Sequence, residues 1–432
     1  MTATTAERAA EADRSFWTYW TASTTSNLGS AVTTVALPLT AVLTLNATTF
    51  EVGLLAAASY VAWLIVGLPA GVIVRGLPQR SVQVTLDLAR AAAVASVPVA
   101  WWLGVLTFAQ LIAVALVGSF ADVFFDVANF TFLPRVVPKE RLHARNSLMS
   151  GTHAATQLGG PSLAGLLVQL LGAAPTLLAD AASYLASAAL LRTLPEVRPD
   201  NETAETTPLR VQVREGWHFV MGHPVIGPCM WEATAVNFVC GGQLALFTVY
   251  LVRVLHAPVG LVGILLAMEG AGSLAGSALS PWLVRAIGSA RACLWSSAVM
   301  VIGALLLPAG SGWAAFILFG AGNVVFAAGV VVLSTTTRTY RQIASPPELL
   351  FRVMATVRFV SWGAVPLGGV IAGILASWLG PRTALIVLAA ATALSPLILI
   401  LSPVRQMRDF PAAPQSFDNS KKRLHGEDAR GA

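Results

Sequence analysis

The sequence predicts an all-helical integral membrane protein whose twelve transmembrane helices form two pseudo-symmetric six-helix halves. Of its 432 residues, 56% are hydrophobic and only 11% are charged, whereas soluble domains carry about 25% charged residues. Twelve segments are long and apolar enough to cross a bilayer, and one long polar segment separates the first six from the last six. The two sets of six also match each other at a nearly constant spacing, which indicates an internal duplication.

Each predicted span meets the length requirement of a bilayer, since about 20 apolar residues cross roughly 30 Å of hydrocarbon. The spans are predicted at 17–44, 51–75, 83–104, 106–132, 142–171, 174–193, 224–252, 258–284, 290–309, 312–338, 350–379 and 382–403. The predicted regions are an N-terminal half at 1–193, a cytoplasmic linker at 194–223, a C-terminal half at 224–403 and a disordered cytoplasmic tail at 404–432.

Basic residues predict the orientation of these spans. With the N-terminus inside, only Arg253 and Arg382 of the 27 lysines and arginines fall on the outer side, in agreement with the positive-inside rule. The net charge of +6 then reflects topology, and no nucleic-acid partner is expected. We predict a multi-pass protein of the plasma membrane with both termini cytoplasmic and no cleaved signal peptide.

The two halves match each other at a spacing close to half of the chain length. A shift of 208 residues pairs Glu140 with Glu348, Leu142 with Leu350, Gly160 with Gly368, Gly165 with Gly373 and Gly172 with Gly380. In the earlier part of each half, a shift of 210 pairs Gly53 with Gly263 and Arg75 with Arg285. Two copies with the same topology predict parallel repeats, an arrangement that occurs in secondary transporters.

Short motifs along the chain resemble those of one transporter family. They are Ser26-Asn-Leu-Gly-Ser30, Val35-Ala-Leu-Pro-Leu39, Gly67-Leu-Pro-Ala-Gly71, Asp87-Leu-Ala-Arg90, Phe124-Phe-Asp126, Ala144-Arg-Asn146 and Gly216-Trp-His-Phe219. In order and spacing they resemble the major facilitator superfamily, and within it the exporters typified by the enterobactin exporter and the macrolide efflux proteins. The resemblance implies the major facilitator fold and the export of a small molecule.

One loop departs from the pattern of that family. Its members usually carry an acid followed by several basic residues between the second and third spans, and the acid helps to close the cytoplasmic side. Here Arg75 stands where the acid is expected, and Arg80 follows it. Both arginines are gating candidates by resemblance. Either another acid replaces the missing one, or the outward-facing state is less stable.

Six acidic residues lie inside predicted spans, where an isolated acid costs about 2.5–3.5 kcal/mol at the bilayer centre. They are Asp87, Asp122, Asp126, Asp180, Glu232 and Glu269. Each of them must pair with a base or hydrogen-bond donor, bind a proton or face a watery cavity.

Two of these acids have a candidate basic partner. Asp87 lies three residues before Arg90, so the two share a helix face and predict a structural pair near the cytoplasmic mouth. Asp126 and Arg358 lie at comparable inner depths in the fourth and eleventh spans. An ion pair between them, forming a cytoplasmic gate across the halves, is one alternative for Asp126.

Asp122, Glu269 and Glu232 are candidates for proton coupling or substrate contact. Asp122 shares a helix face with Asp126, and two ionised acids so placed repel each other. Asp122 therefore either shares a proton or faces the cavity, and the alternative is a structural role. Glu269 has no basic residue within a helical turn, and burial without a partner favours a protonated carboxyl, which a coupling site needs. The alternative for both glutamates is a hydrogen bond to a neighbouring helix. Asp180, in the outer half of the sixth span, is expected to serve helix packing.

Gly160, Pro161 and Gly165 in the fifth span resemble the Gly-Pro-x-x-Gly-Gly motif of antiporters in this superfamily, with Ala164 replacing the first glycine of the pair. Proline removes a helical hydrogen bond and glycine allows close approach, so the motif predicts a bend that seals one face. Ordinary packing of small residues is the alternative. Further polar residues that are candidates for the cavity wall are His153, Gln157, Asn237 and Asn323.

These residues, together with the exporters that the chain resembles, predict a secondary-active efflux transporter for an amphipathic molecule, siderophore-like or antibiotic-like by that resemblance, working by proton antiport with alternating access. The sequence contains no Gly-x-x-x-x-Gly-Lys motif and no cluster with metal-ligand spacing, so neither an enzyme nor a cofactor is expected and the proton gradient supplies the energy. The expected partners are the bilayer and a small-molecule substrate, and we expect a monomer. The alternatives are a nutrient importer or uniporter of the same fold, and a membrane receptor or scaffold without transport.

Overall fold

The computed structural model describes residues 5–67, 69–75, 77–136, 139–196 and 209–411, and all regular elements among them are helical. The helices before residue 196 are α1 (Thr5–Leu43), α2 (Thr49–Ala58), α3 (Val61–Val66), α4 (Ala70–Arg75), α5 (Gln79–Trp102), α6 (Phe108–Val136), α7 (Lys139–Leu171) and α8 (Ala173–Arg192). Those that follow are α9 (Leu209–Gly222), α10 (Ile226–Val249), α11 (Val259–Ile287), α12 (Ser289–Leu306), α13 (Gly312–Ala344), α14 (Pro347–Leu379), α15 (Pro381–Ala391) and α16 (Leu394–Ile400).

The predicted all-helical transmembrane fold is confirmed, and each of the twelve predicted spans coincides with a helix or a run of short helices. Within the described ranges, eleven helical segments are long and apolar enough to cross a membrane. The predicted span outside that set is α7, which has 33 residues. Its two glutamines, Gln157 and Gln169, and its Gly-Gly-Pro-Ser segment at 159–162 lower its hydropathy. It packs against α1 in its own half and α11 in the other.

Helix bounds and unusual backbone conformations repeat at the predicted spacings. Both ends of α14 lie 208 residues after those of α7, and α11 begins 210 residues after α2. Gly172 and Gly380, which precede α8 and α15, have positive φ values of 89° and 81°. Among described non-glycine residues, positive φ occurs at Asn46 (51°) and His256 (49°), which are 210 positions apart. The repetition of these rare conformations supports two copies of one structural unit.

The start of α1, the junction of α6 with α7 and the junction of α13 with α14 lie at one end of the bundle. Arg141 and Arg145 near the start of α7 bind Asp13 of α1, at 2.7 and 2.9 Å. Arg358 in the first half of α14 lies 3.0 Å from Asp126 in the second half of α6, on the same side of the bundle centre. We call this the basic end, and it corresponds to the predicted cytoplasmic side.

The predicted linker at 194–223 contains a helix, α9, that packs on α14. Glu215 of α9 forms an ion pair with Arg352 of α14. At the junction with α10, His223 Nδ1 accepts hydrogen bonds of 3.2 Å from the amides of Val225 and Ile226. Partial burial lowers the pKa of His223, which keeps Nδ1 available as an acceptor at neutral pH.

The prediction of a disordered tail at 404–432 is wrong for residues 404–411. Asp409 Oδ1 accepts a hydrogen bond of 2.9 Å from the amide of Ser289, the first residue of α12. Phe410 is buried against Tyr340 with ring centroids 4.7 Å apart. The capping carboxylate and the buried ring offset the entropy of ordering this segment. Residues 412–432 lie outside the described residues.

Candidate functional site

The second predicted span is broken between α2 and α3, close to the middle of the bundle. Ser59 Oγ donates to the carbonyl of Leu55 at 3.0 Å, and the turn continues through Tyr60. The amide of Ala62 donates to Ser119 Oγ of α6 at 3.2 Å, which satisfies a backbone group that the break would leave unpaired. In membrane transporters, irregular backbone at this depth occurs where it lines a cavity.

A cavity of about 170 Å³ lies beside this break, mainly within the N-terminal half. It is lined by α1, α2, α3, α5, α6 and α8, by the turn before α3, and by Leu244 of α10 in the other half. Its polar wall residues include Ser30, Thr33, Tyr60, Arg90 and Asp122.

Arg90 is the electrostatic centre of this cavity. Its Nη2 lies 2.7 Å from Asp122 Oδ1 and its Nη1 lies 3.7 Å from Asp87 Oδ1, and its guanidinium also lies 5.4 Å from the ring centroid of Tyr184. The Arg90 side chain is 4% exposed and Asp87 is fully buried, whereas Asp122 is 57% exposed. Asp87 and Arg90, which the sequence predicts to be a pair, are therefore in contact. Arg90 also binds Asp122, for which the sequence suggested no basic partner. Asp122 alone of the three turns toward open space.

Glu269 lies on α11, in the C-terminal half. It is exposed and forms no hydrogen bond or ion pair with any residue that the structure describes. Tyr60 lies within electrostatic reach of both Glu269 and Asp122, and Glu269 is also within reach of Cys240 of α10. The two leading coupling candidates thus lie in opposite halves, and both are within electrostatic reach of Tyr60.

An ion pair joins the halves on the basic-end side of this centre. Arg358 Nη2 donates to Asp126 Oδ2 at 3.0 Å, and its guanidinium lies 4.0 Å from the ring centroid of Trp63 and 5.5 Å from that of Trp362. The two charged side chains are 39% and 46% exposed. The structure thus brings together the pair that was one alternative from the sequence. Its gating role stays a prediction.

Three other predicted polar residues in the C-terminal half make contacts within that half. Glu232 is fully buried and accepts a hydrogen bond of 2.6 Å from Ser395. Asn323, buried between helices, donates to the carbonyl of Leu265 at 3.1 Å. Asn237 donates to a carbonyl of its own helix. These contacts match the helix-packing alternative more closely than a place in the cavity wall.

The remaining polar candidates divide between packing and exposure. Asp180 accepts a hydrogen bond of 2.5 Å from Thr33, which links α8 to α1. His153 and Gln157 are exposed one turn apart on α7 but do not line the cavity around Arg90. Arg80 donates to the carbonyl of Leu194 at 2.7 Å and lies 3.1 Å from Glu196, so it contacts the start of the predicted linker and not the C-terminal half. The side chain of Arg75 lies outside the described part of the structure.

Glycines close the interface between the halves at the end opposite the basic end. A Cβ atom on Gly53 of α2 would lie 2.6 Å from the carbonyl oxygen of Gly369 and 2.9 Å from Cα of Gly373, both on α14. A Cβ atom on Gly165 of α7 would lie 2.8 Å from Cα of Gly263 on α11. At these distances a Cβ atom would overlap the backbone of the opposite helix. Only glycine, whose side chain is a hydrogen atom, fits at these positions.

The Gly160–Gly165 motif belongs to this close contact. Pro161 lies inside the continuous helix α7, and a Cβ atom on Gly263 would meet its carbonyl oxygen at 2.5 Å. A Cβ atom on Gly160 would lie 2.3 Å from Cβ of Ala31 on α1. The motif therefore packs α7 against both α1 and the opposite half.

Sequence reasoning missed the aromatic part of this site. Tyr60, Trp63 and Trp362 were not candidates, although the ring centroids of Trp63 and Trp362 lie 5.2 Å apart across the halves. Aromatic residues are frequent in membrane spans, so nothing local distinguished these three. The break at Ser59 also carries no glycine or proline, which are the usual signals of an interrupted helix.

Comparisons with known proteins agree with this architecture. The model of the transmembrane secretion effector family matches residues 7–431. The multidrug efflux pump Tap of Mycolicibacterium fortuitum is 26% identical over 405 residues, which cover 91% of this chain and 97% of that protein. The uncharacterized MFS-type transporter YvqJ of Bacillus subtilis (strain 168) is 23% identical over 300 residues, which cover 68% of this chain and 70% of that protein.

Solved structures are similar in fold at low sequence identity. The nucleoside transporter NupG superposes with a TM-score of 0.72 at 11% identity, over 89% of this chain and 98% of that one. A bacterial homologue of the iron transporter ferroportin, in an inward-facing state, superposes with a TM-score of 0.70 at 17% identity, over 90% and 98%. With a family match over nearly its whole length, the chain belongs to the transmembrane secretion effector family of MFS transporters and is a membrane transporter rather than an enzyme.

Proposed function

We propose that this transporter exports an amphipathic, siderophore-like or antibiotic-like molecule in exchange for protons. The observation that carries the proposal is the pair of acids in opposite halves: Asp122 lines the cavity and lies 2.7 Å from Arg90, whereas Glu269 is exposed and has no partner among the described residues. Each half carries one of these acids. Protonation of either acid would therefore change how strongly the halves bind each other and how strongly they bind a ligand. The similarity to a multidrug efflux pump supports export as the direction.

The two acids suit different tasks. Asp122 is bound to Arg90 at 2.7 Å, so its negative charge is compensated. Glu269 lacks a partner among the described residues, and its charge is the less compensated of the two. A proton on Glu269 removes an uncompensated charge from the membrane interior, which favours proton binding there. Glu269 is therefore the proposed coupling acid, and Asp122 with Arg90 forms the polar wall that contacts substrate.

The aromatic residues at the centre suit the apolar part of such a substrate. Tyr60, Trp63 and Trp362 lie around the junction of the halves, with the Tyr60 and Trp362 ring centroids 6.5 Å apart. Flat aromatic surfaces accept many apolar shapes at small entropic cost, as a transporter of varied amphipathic molecules requires.

The two ends of the interface differ in a way that supports alternating access. The glycine contacts close one end, and an exposed ion pair joins the halves between the centre and the basic end. In the proposed cycle, the halves rock so that the glycine contact opens and the basic end closes. One inward proton supplies about 2.3 kcal/mol per 100 mV and about 1.4 kcal/mol more per tenfold proton gradient.

Dye transport in inverted membrane vesicles tests this proposal. With a proton gradient imposed, inside acidic, we expect vesicles with the wild-type protein to accumulate ethidium or Hoechst 33342 and to release it when the gradient is collapsed. A Glu269→Gln variant, present at the same level, should lose this response. The nutrient importer or uniporter predicts substrate-stimulated uptake into intact cells and no gradient-driven dye accumulation. The receptor or scaffold predicts ligand binding without exchange.

A further inference from the structure

An apolar groove of about 970 Å³ runs along the surface of the C-terminal half, between α10, α14 and α16. Trp231, Phe238, Leu367 and Leu401 belong to its walls, and Leu367 and Leu401 are largely exposed. In a transmembrane protein, a groove with such walls accommodates hydrocarbon. The groove lies outside the central site and no step of the proposed transport uses it.

One face of α9 continues the groove at its mouth. Arg210, Arg214, Trp217 and Met221 follow one another at spacings of four, three and four, which places them on one helix face. Met221 lines the groove. Trp217 packs edge-on against Trp231, with ring centroids 6.4 Å apart. The surface therefore changes from apolar at the groove to cationic along α9.

The position of α9 is fixed by its contacts with α14. Glu215 forms an ion pair with Arg352. A Cβ atom on Gly216 would lie 2.5 Å from Thr356 Oγ1 and 2.7 Å from the carbonyl oxygen of Arg352, so the two helices touch at the backbone. Arg214, adjacent to Glu215, is exposed and forms no ion pair with the described residues. Its position is thus preorganised for an external anion.

We propose that the groove and this face of α9 form a binding site for one anionic phospholipid. An acyl chain fits the apolar walls, and the phosphate group lies over Arg210 and Arg214. Trp217 and Trp231 lie at the boundary between chain and headgroup, where tryptophan is enriched in membrane proteins. Two exposed arginines beside a bilayer complement an anionic headgroup. A free phosphate would use the arginines and leave the groove without a ligand.

Native mass spectrometry of the purified protein tests the site, with phosphatidylglycerol as the probe and phosphatidylcholine as its zwitterionic counterpart. We expect the wild-type protein to retain one phosphatidylglycerol in preference to phosphatidylcholine. Each arginine near the headgroup contributes about fivefold to affinity, so Arg210→Gln/Arg214→Gln should weaken retention roughly 25-fold. Ala235→Trp places a ring inside the groove and should displace the lipid without a change of charge.

Arg285→Gln/Arg291→Gln is the matched control, since it removes two exposed arginines at the junction of α11 and α12, outside the groove. It should retain the lipid as the wild-type protein does. Equal losses in both double variants would overturn the proposal, as would equal retention of the two lipids. Glycerol phosphate, a headgroup without chains, should not compete; competition at the concentration of the intact lipid would indicate a phosphate site instead.

Discussion

The closed end of the interface and the charged centre differ in symmetry. At the closed end, Gly53 meets Gly373 and Gly165 meets Gly263. The 210-residue shift relates Gly53 to Gly263, and the 208-residue shift relates Gly165 to Gly373. Each contact is therefore the counterpart of the other, and both copies of the repeat supply the same two surfaces.

The charged centre lacks this symmetry. The position that corresponds to Glu269 in the first half is Ser59, at a shift of 210, and Asp122 corresponds to Val330 at a shift of 208. In the proposed cycle, the surfaces that both copies keep serve the movement of the halves against each other, which is the same for either half. The residues present in a single copy would carry the proposed proton coupling, because it needs an acid at one place and a wall with compensated charge at another.

The largest expected effect is at the closed end of the interface, where the glycine contacts are symmetric. Gly165→Leu places a side chain where the backbone of Gly263 lies, so the halves cannot close there, and we expect dye transport to fall more than tenfold. Gly53→Leu should have a similar effect, because its contact is the counterpart of the first. The control is Gly159→Leu on the same helix, since a Cβ atom there meets nothing within 4 Å. Equal transport by Gly165→Leu and Gly159→Leu would contradict the symmetric closure.

An intermediate effect is expected at the Arg90 cluster, measured as the free energy of unfolding in detergent. Arg90→Gln leaves Asp87 fully buried without its base, and the loss of one partner of a buried pair costs about 3–5 kcal/mol. Asp122→Asn should cost less, because Asp122 is 57% exposed and Arg90 keeps Asp87. The reverse order of the two variants would show that the buried Arg90 depends on Asp122 more than Asp87 depends on Arg90.

The smallest expected effect is at the ion pair between the halves. Asp126 and Arg358 are both more than a third exposed, and exposed pairs contribute about 0.2–1 kcal/mol. A double-mutant cycle with Asp126→Asn and Arg358→Gln, read from stability, should give a coupling energy in that range. A coupling above about 2 kcal/mol would mean that the pair, like the glycine contact, holds the halves together.

The sequence predicts the symmetric region better than the charged one. The matched glycines were visible as pairs in the repeat, because a duplication leaves both copies to compare. The contact of Arg90 with Asp122 was not visible, since it depends on how α5 and α6 are rotated against each other. The Asp126–Arg358 contact was an alternative, because depth in the membrane follows from residue counts. The break at Ser59 depends on Ser119 of another helix, which no local pattern reveals.

The tail shows the same limit. Composition predicts disorder from residue 404, yet Asp409 and Phe410 each find a specific partner, at the start of α12 and at Tyr340. One capping acid and one aromatic ring are too few to change the mean composition of a polar segment, on which the prediction of disorder depends. Tertiary contacts of single residues decide where such a segment becomes ordered.

The most direct test of the account is to separate exchange from coupling at Glu269. In proteoliposomes, wild-type protein should exchange labelled for unlabelled ethidium at equal concentrations and should also accumulate it when a proton gradient is imposed. Glu269→Gln should keep the exchange and lose the proton-driven accumulation together with its pH dependence, because the site stays intact while the proton acceptor is gone. If Glu269→Gln and Asp122→Asn both keep proton-driven accumulation with the wild-type pH dependence, neither acid couples transport to protons and the proposed mechanism is wrong.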